Sequence, residues 1–345
     1  MIPIQNIYYM LSYAFQVLNE QGYKNIATEQ FHNTAELMAA ILEKGIAIQL
    51  KRGLGKEYIP QTEALSSLRG KIDIAESIKT QSMLRKQLIC TYDEFSVNSI
   101  MNRIIKSTVE LLLRSNISKQ RKKNLRKLMV YFSEVDFIDL YTVNWNVQYN
   151  RNNQTYRMLI SICYLVVKGL LQTQSNGHTE LMDFLDEQRM CRLYEKFILE
   201  YYRKEFKNQF TANASQIPWQ LDNEENSMLP VMQSDIMLQS GEKVLIIDAK
   251  YYEHSTQVQF DKHTLHSGNL YQIFTYVKNK EYELREKDHT VSGMLLYAKT
   301  DEEIYPNNVY QMSGNQITVR TLDLNLPFDE IAGQLNTIAK THFDL

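Results

Sequence analysis

The sequence predicts two domains, an α+β N-terminal domain at residues 1–178 and an α/β C-terminal domain at residues 179–345. Two domains are the natural expectation for 345 residues, because single compact cores rarely grow so large. The polar segment Thr-Gln-Ser-Asn-Gly-His-Thr at residues 173–179 is the clearest break in composition, so we place the boundary there.

Helices and short strands are mixed in the N-terminal domain. Glycine and proline interrupt the helical pattern between residues 53 and 70, which predicts short strands at residues 57–59, 71–74 and 88–95. Amphipathic periodicity predicts helices at residues 7–19, 34–49, 99–114, 118–132 and 156–172. This mixture is typical of an α+β domain.

The C-terminal domain has the element order of an α/β core. The pattern predicts a helix at residues 187–206, strands at 232–238 and 244–250, a helix at 268–279 and a strand at 291–297. The sequence Gln-Ser-Gly-Glu-Lys at residues 239–243 has the composition of a turn, so the first two strands are expected to form a hairpin.

The second strand of that hairpin ends in two charges. An apolar run at residues 244–247 is followed by Asp248, Ala249 and Lys250. Side chains alternate along a strand, so Asp248 and Lys250 point to the same side. Burying ionised groups is costly unless they are paired or bind a metal, and these charges therefore need a chemical reason.

The hairpin brings a further acid to the same place. Folding the strands back on each other sets Asp235 opposite Asp248, within about one residue of register. Two converging carboxylates repel unless a divalent cation lies between them, and oxygen ligands suit Mg²⁺ or Mn²⁺ rather than zinc. A neighbouring lysine can orient a water molecule and stabilise charge on a phosphoryl oxygen. The alternative is an ordinary amphipathic hairpin that ends in a salt bridge.

This acid, hairpin, acid-x-lysine pattern resembles the PD-(D/E)xK nuclease superfamily. Ser234 replaces the usual proline before the first acid, and the second acid is Asp rather than the commoner Glu. The resemblance implies a restriction-endonuclease-like fold that hydrolyses phosphodiester bonds with Mg²⁺ or Mn²⁺. It assigns Asp235, Asp248 and the backbone carbonyl of Ala249 to the metal, and Lys250 to the attacking water.

Two flanking helices supply the supporting residues. Glu195 lies beside the apolar stripe of the helix that precedes the hairpin, where nucleases of this fold often carry an additional metal ligand. Gln272 and Tyr276 are spaced i, i+4 and resemble the Q-x-x-x-Y motif of RecB-like nucleases, in which they support the lysine and the substrate backbone. A solvated glutamate and a helix face with two polar tips are the respective alternatives.

The whole chain resembles the McrC family, the nuclease subunits of McrBC modification-dependent restriction systems. The matching strings are those at residues 2–14, 68–73, 102–107, 247–252 and 269–272, and they occur in the family's order. The resemblance implies an N-terminal domain that inserts into a hexameric ring of an McrB-like AAA+ GTPase and stimulates its hydrolysis. It also implies cleavage of double-stranded modified DNA.

The sequence gives this partnership some independent support. No G-x-x-x-x-G-K-[ST] motif occurs, so GTP is expected on the partner and not on this chain. Arg52, Arg69 and Lys71 flank the glycine-punctuated strands and are our candidate partner contacts, with ordinary solvated cations as the alternative. The formal net charge of −2 excludes a broadly basic DNA-binding surface, as expected where a partner holds the DNA.

Charge and cysteine usage set the remaining expectations. The segment 119–127 carries six cations in nine residues, which could touch a phosphate backbone or an acidic partner, or form a solvated helix face. Three widely spaced cysteines and an N-terminus without a signal-peptide pattern predict a cytoplasmic protein, and no segment is expected to span a membrane.

Two other functions compete with the restriction subunit. The first is a stand-alone RecB-like repair or resolvase nuclease, which would cut DNA without a partner or a nucleotide. The second is a non-catalytic scaffold of a GTPase ring. The intact set of Asp235, Asp248 and Lys250 argues against the scaffold, because a retired site has no reason to keep charges in an apolar strand.

Overall fold

The computed structural model describes residues 2–15, 18, 23, 26, 29–150, 153–174, 187–223, 228–252, 257–259, 262–299 and 305–345. The chain forms two compact units. One unit, here called the main unit, contains residues 1–32 and 183–345; the other, the inserted unit, contains residues 33–182.

The inserted unit combines five α-helices with a three-stranded antiparallel sheet in the order β1-β3-β2, among the residues described. Two 3-10 helices, Ser82–Arg85 and Val130–Phe132, accompany them. The helices are α2 Thr34–Arg52, α3 Ile74–Lys79, α4 Ile100–Arg114, α5 Lys119–Met129 and α6 Tyr156–Gln174, and the strands are β1 Glu57–Leu65, β2 Lys71–Asp73 and β3 Leu88–Ser96.

Two serine caps determine where helices α4 and α5 begin, and one glycine allows the chain to approach β3 closely. Ser99 and Ser118 accept hydrogen bonds from the backbone N–H groups of Asn102 and Arg121, which begins α4 and α5. Gly70 has φ +68°, and a Cβ there would lie 2.4 Å from the Thr91 carbonyl oxygen, so only glycine fits this approach to β3. The prediction included both serine caps in the helices, whereas in the structure each cap lies one residue before its helix begins.

The main unit is built on a six-stranded mixed sheet in the order β12-β13-β11-β8-β7-β4. Two short ladders, β5-β6 and β9-β10, lie beside it. The helices are α1 Ile4–Ala14, α7 Glu187–Glu205, α8 Ser267–Glu283 and α9 Phe328–Phe343. The strands are β4 Thr211–Asn213, β5 Gln216–Ile217, β6 Met232–Gln233, β7 Ile236–Ser240, β8 Lys243–Lys250, β9 Gln257–Gln259, β10 Lys262–Thr264, β11 Thr290–Ala298, β12 Asn308–Met312 and β13 Asn315–Leu322.

Strand β8 lies inside the sheet because both of its edges are paired. It runs antiparallel to β7 and parallel to β11. Val244 and Ile246 pack in one apolar cluster with Ile273 and Val277 of α8, so α8 covers that face of the sheet. Because side chains alternate along a strand, Asp248 and Lys250 lie on the same face, beneath α8.

The structure corrects the predicted division at residue 178 in one respect. Residues 1–32 belong to the main unit and not to the N-terminal domain. Asn6 of α1 donates hydrogen bonds of 2.8 Å to the carbonyl oxygens of Leu324 and Leu326, and Tyr13 donates one of 2.9 Å to Glu205. These contacts join segments that are more than a hundred residues apart, and they leave no local signal in the sequence.

Other boundaries also differ. The strand predicted at 232–238 is interrupted at Ser234 and Asp235, and the turn predicted at 239–243 contains only Gly241 and Glu242. The predicted helix 7–19 ends at Ala14, with Phe15 as its C-cap. The bounds of strand β8 and of helices α2, α4, α6, α7 and α8 agree with the prediction to within a few residues.

Among the helices that the structure describes, none is long and apolar enough to cross a membrane. Cys90, Cys163 and Cys191 are free thiols, as the sequence predicts.

Candidate active site

The β7–β8 hairpin brings the two predicted aspartates face to face. The last pair of the ladder is Ile236 with Ile247, so the register places Asp235 opposite Asp248. A two-residue turn with Gly241 at φ +56° fixes this register. The carboxylate of Asp235 is oriented by the backbone N–H of Ala249, which donates to Oδ2 over 2.9 Å.

Asp248 is the most deeply buried acid of this hairpin, with only 1% of its side chain exposed. The pKa of the Asp248 carboxyl is raised to about 7, mainly because the carboxyl is buried; the positive charge of Lys250 opposes this shift and the negative charge of Asp235 adds to it. Near neutral pH this carboxyl is therefore protonated in part of the molecules, whereas an ordinary aspartate is fully ionised.

Lys250 is the counter-ion of Asp248. Its Nζ donates a hydrogen bond of 2.9 Å to Oδ1 of Asp248 and also lies 2.9 Å from Oδ2. Oδ2 nevertheless accepts no hydrogen bond of good geometry, although it is buried. Burial alone lowers the pKa of Lys250, but Asp248 more than offsets this, so the pKa is raised and the ammonium keeps its proton.

Gln272 and Tyr276 of α8 extend this contact. Lys250 Nζ donates to Gln272 Oε1 over 3.3 Å, and Gln272 Nε2 donates to the Tyr276 hydroxyl over 2.9 Å. The two partners fix the orientation of the Gln272 amide, with its oxygen toward the lysine. The structure therefore joins all the residues of the predicted Q-x-x-x-Y and D-x-K motifs into one chain of contacts.

Glu195 of α7 lies near the same acids. Burial raises the pKa of its carboxyl, and the negative charge of Asp235 raises it further. The Cys191 thiol, one helical turn earlier, donates to Glu195 Oε1 over 3.0 Å and opposes the shift. Sequence reasoning treated Cys191 as a core thiol, although its i, i+4 spacing from Glu195 was the available signal.

A second polar pair flanks Lys250 and was also missed. Tyr297 is the cross-strand partner of Lys250 on β11, and Asn269 of α8 donates to its hydroxyl over 2.9 Å. Burial raises the pKa of Tyr297 to about 12, so its hydroxyl stays neutral. The string Asn269-Leu270-Tyr271-Gln272 predicted this helix from the sequence. No local sequence pattern indicates that the partner of Asn269 lies on β11.

These oxygens suit a small divalent cation. Asp235 and Asp248 present carboxylates across a hairpin, and Asp248 Oδ2 is a buried acceptor without a hydrogen bond. Among the residues described, no three His, Cys, Asp or Glu side chains are arranged to hold a metal by themselves. Mg²⁺ tolerates such a sparse set, because it keeps several water ligands and commonly binds only one or two carboxylates.

The three predicted partner contacts belong to the inserted unit. Arg52 is exposed in the last turn of α2, and Arg69 and Lys71 are exposed beside β3. The Arg69 guanidinium lies 4.0 Å from the centre of the Tyr92 ring, a cation–π contact that orients it on the sheet.

The fold and this cluster together define an α+β protein with a buried acid–lysine site on a central strand. A family model described as "McrBC 5-methylcytosine restriction system component" matches residues 5–298. The chain is 30% identical over 329 residues to the "Type IV methyl-directed restriction enzyme EcoKMcrBC" of Escherichia coli (strain K12), covering 94% of this chain and 93% of that protein. The chain therefore belongs to the McrBC restriction-component family.

A solved structure shares the fold. It is the refined half-complex from the tetradecameric assembly of Thermococcus gammatolerans McrB AAA+ hexamers with bound McrC. The similarity has a TM-score of 0.50 at 18% identity and covers 97% of this chain and 76% of that chain. The predicted resemblance to the McrC family is confirmed by these comparisons.

Proposed function

We propose that this protein is the DNA endonuclease subunit of a GTP-dependent, methylation-directed restriction complex. The observation that carries the proposal is Asp248, a buried acid opposite Asp235 and beside Lys250, with one carboxylate oxygen that accepts no hydrogen bond. A purely structural salt bridge would gain nothing from a second acid at the same place, since like charges raise the cost of burial.

The chemistry follows the PD-(D/E)xK pattern. Asp235, Asp248 and the Ala249 carbonyl would hold Mg²⁺ or Mn²⁺, with Glu195 as a candidate further ligand. Bound there, the cation would acidify a water molecule and stabilise charge on the scissile phosphate. Lys250 carries a fixed positive charge that orients the water and the phosphate, and Gln272 and Tyr276 hold Lys250 in place.

A partner would supply the nucleotide and the recognition of modified bases. The related archaeal structure is named as McrB AAA+ hexamers with bound McrC, and the related bacterial enzyme is named as methyl-directed. We propose that this chain binds an McrB-like AAA+ GTPase hexamer, stimulates its hydrolysis and cuts the double-stranded modified DNA that the complex holds. The N-terminal domain predicted at 1–178 overlaps the inserted unit, residues 33–182, and we assign that unit to insertion into the ring, with Arg52, Arg69 and Lys71 as contacts.

Cleavage of methylated plasmid with Mg²⁺ tests this proposal. The reaction is run with the chain alone, with a cognate McrB-type GTPase, and with both the GTPase and GTP. Cutting only in the complete mixture is the expected result. Cutting of unmodified DNA by the chain alone would favour a stand-alone RecB-like nuclease, and stimulation of the GTPase without any cutting would favour a scaffold.

A further inference from the structure

One side of helix α5 packs against helix α2 within the inserted unit. Leu125 is fully buried. Arg121 places its guanidinium 2.9 Å from Glu43 and 3.4 Å from Glu36, and all three side chains are largely shielded from solvent. Asn124 adds a hydrogen bond of 2.9 Å to Glu43. These contacts with α2 fix which face of α5 points outward.

The outward face is almost entirely cationic. Its exposed residues are Lys119, Gln120, Lys123, Arg126 and Lys127. None of these four cations forms an ion pair or a ring contact with any residue that the structure describes. They extend along about 12 Å of the helix axis, at a rise of about 1.5 Å per residue.

This arrangement is unfavourable for the helix by itself. Lys119 and Lys123, and Lys123 and Lys127, are like charges at i, i+4, which destabilise a helix. The first turn contains no acid, and Lys119 lies at the positive end of the helix dipole. Arg121 has two acidic partners, whereas the outward cations have none, so the charge on this face is unbalanced within the fold.

We propose that the outward face of α5 binds the phosphate backbone of duplex DNA, a contact distinct from the nuclease site; this rests on the proposed action on DNA. A row of cations suits evenly spaced phosphates, and such contacts position DNA without reading its sequence. An acidic protein surface is the competing polyanion. Protein interfaces usually have an apolar centre with charges at the rim, whereas the exposed residues of α5 itself are all polar or charged; the exposed apolar residues Val130 and Tyr131 lie in the 3-10 helix that follows it.

The test is binding of a fluorescent duplex to the full chain in EDTA, where no phosphodiester is cut. The test variant carries the two substitutions Lys123→Gln and Arg126→Gln. The control variant carries Lys79→Gln and Arg114→Gln, which also remove one lysine and one arginine charge from the inserted unit, but at side chains that are already paired with Glu76 and Glu110. Affinity is measured between about 0.05 and 0.2 M salt, with thermal melting as the check on folding.

We expect the α5 variant to bind at least about 10-fold more weakly, and the slope of log affinity against log salt to shrink by about 2, whereas the control changes little. Equal losses in both variants, or no salt-dependent binding by the unmodified chain, would overturn the inference. So would unchanged DNA affinity together with weaker binding to an McrB-type ring. This binding assay does not depend on cleavage. If the complete mixture with GTPase, GTP and Mg²⁺ failed to cut DNA, the nuclease proposal would be overturned, but the DNA contact of α5 would not.

Discussion

Lys250 and Asp248 form a close pair that leaves one oxygen unsatisfied. The lysine Nζ is 2.9 Å from both carboxylate oxygens, but only Oδ1 accepts a hydrogen bond, and Oδ2 is buried without one. An unsatisfied buried acceptor is costly, so natural proteins keep one where it serves a purpose. Binding a cation is a purpose that fits an aspartate placed opposite a second aspartate on the same hairpin.

The raised pKa of Asp248 makes a prediction about stability. The folded chain binds this proton more tightly than the unfolded chain, whose aspartates titrate near pH 4, so the contribution of Asp248 to stability falls as pH rises from about 4 to about 7. In the absence of metal, the change in the free energy of unfolding caused by Asp248→Asn should therefore be more favourable at pH 8 than at pH 4.5. Chemical denaturation at the two pH values measures this difference.

Added Mg²⁺ provides the control for that experiment. The metal should stabilise the unmodified protein at pH 8, because it binds the ionised carboxylate of the folded chain, and should stabilise Asp248→Asn much less. Equal stabilisation of both proteins by Mg²⁺ would argue against a metal at this position.

Lys250 is expected to matter for the rate of cleavage. Lys250→Ala should lower the cleavage rate about 100-fold or more, because a positioned charge is lost from a largely buried site. Since Lys250 opposes the raised pKa of Asp248, the remaining activity should also shift to higher pH. A pH–rate profile of the complete complex separates these effects, and an unchanged profile at the full rate would exclude Lys250 from the mechanism.

The ion pairs beneath α5 make a prediction about stability alone. Arg121→Ala leaves Glu36 and Glu43 without their shared counter-ion in a largely buried setting, and should lower the free energy of unfolding by about 2–3 kcal/mol. Arg114→Ala removes an exposed pair with Glu110 and should cost less than about 1 kcal/mol. Equal losses, measured by denaturant titration, would mean that the Arg121 pairs act as ordinary surface contacts.

Local signals made the hairpin that carries Asp235 and Asp248 predictable. A strand repeats every two residues and the Gly-containing turn is short, so Asp235 and Asp248 could be set opposite each other from the sequence. The i, i+4 spacing of Gln272 and Tyr276 likewise predicted a shared helix face, and the structure adds the hydrogen bond between them.

Contacts between distant segments could not be predicted in this way. The packing of α1 with the main unit depends on Asn6 and the carbonyl of Leu324, which are far apart in the chain. The β12–β13 hairpin was not predicted, although the dipeptide Ser313-Gly314 is a local turn signal. Both residues have positive φ in the two-residue turn that joins the strands. The pairing of Tyr297 with Lys250 required the parallel register of β11, which no short motif encodes.

The most direct test of the central claim is DNA cleavage by Asp248→Ala in the complete mixture of chain, McrB-type GTPase, GTP and Mg²⁺. We predict that cleavage is abolished, while binding to the GTPase and stimulation of its hydrolysis remain, because Asp248 lies in the main unit and the proposed docking residues lie in the inserted unit. Cleavage at the unmodified rate would contradict the assignment of this hairpin as the nuclease site.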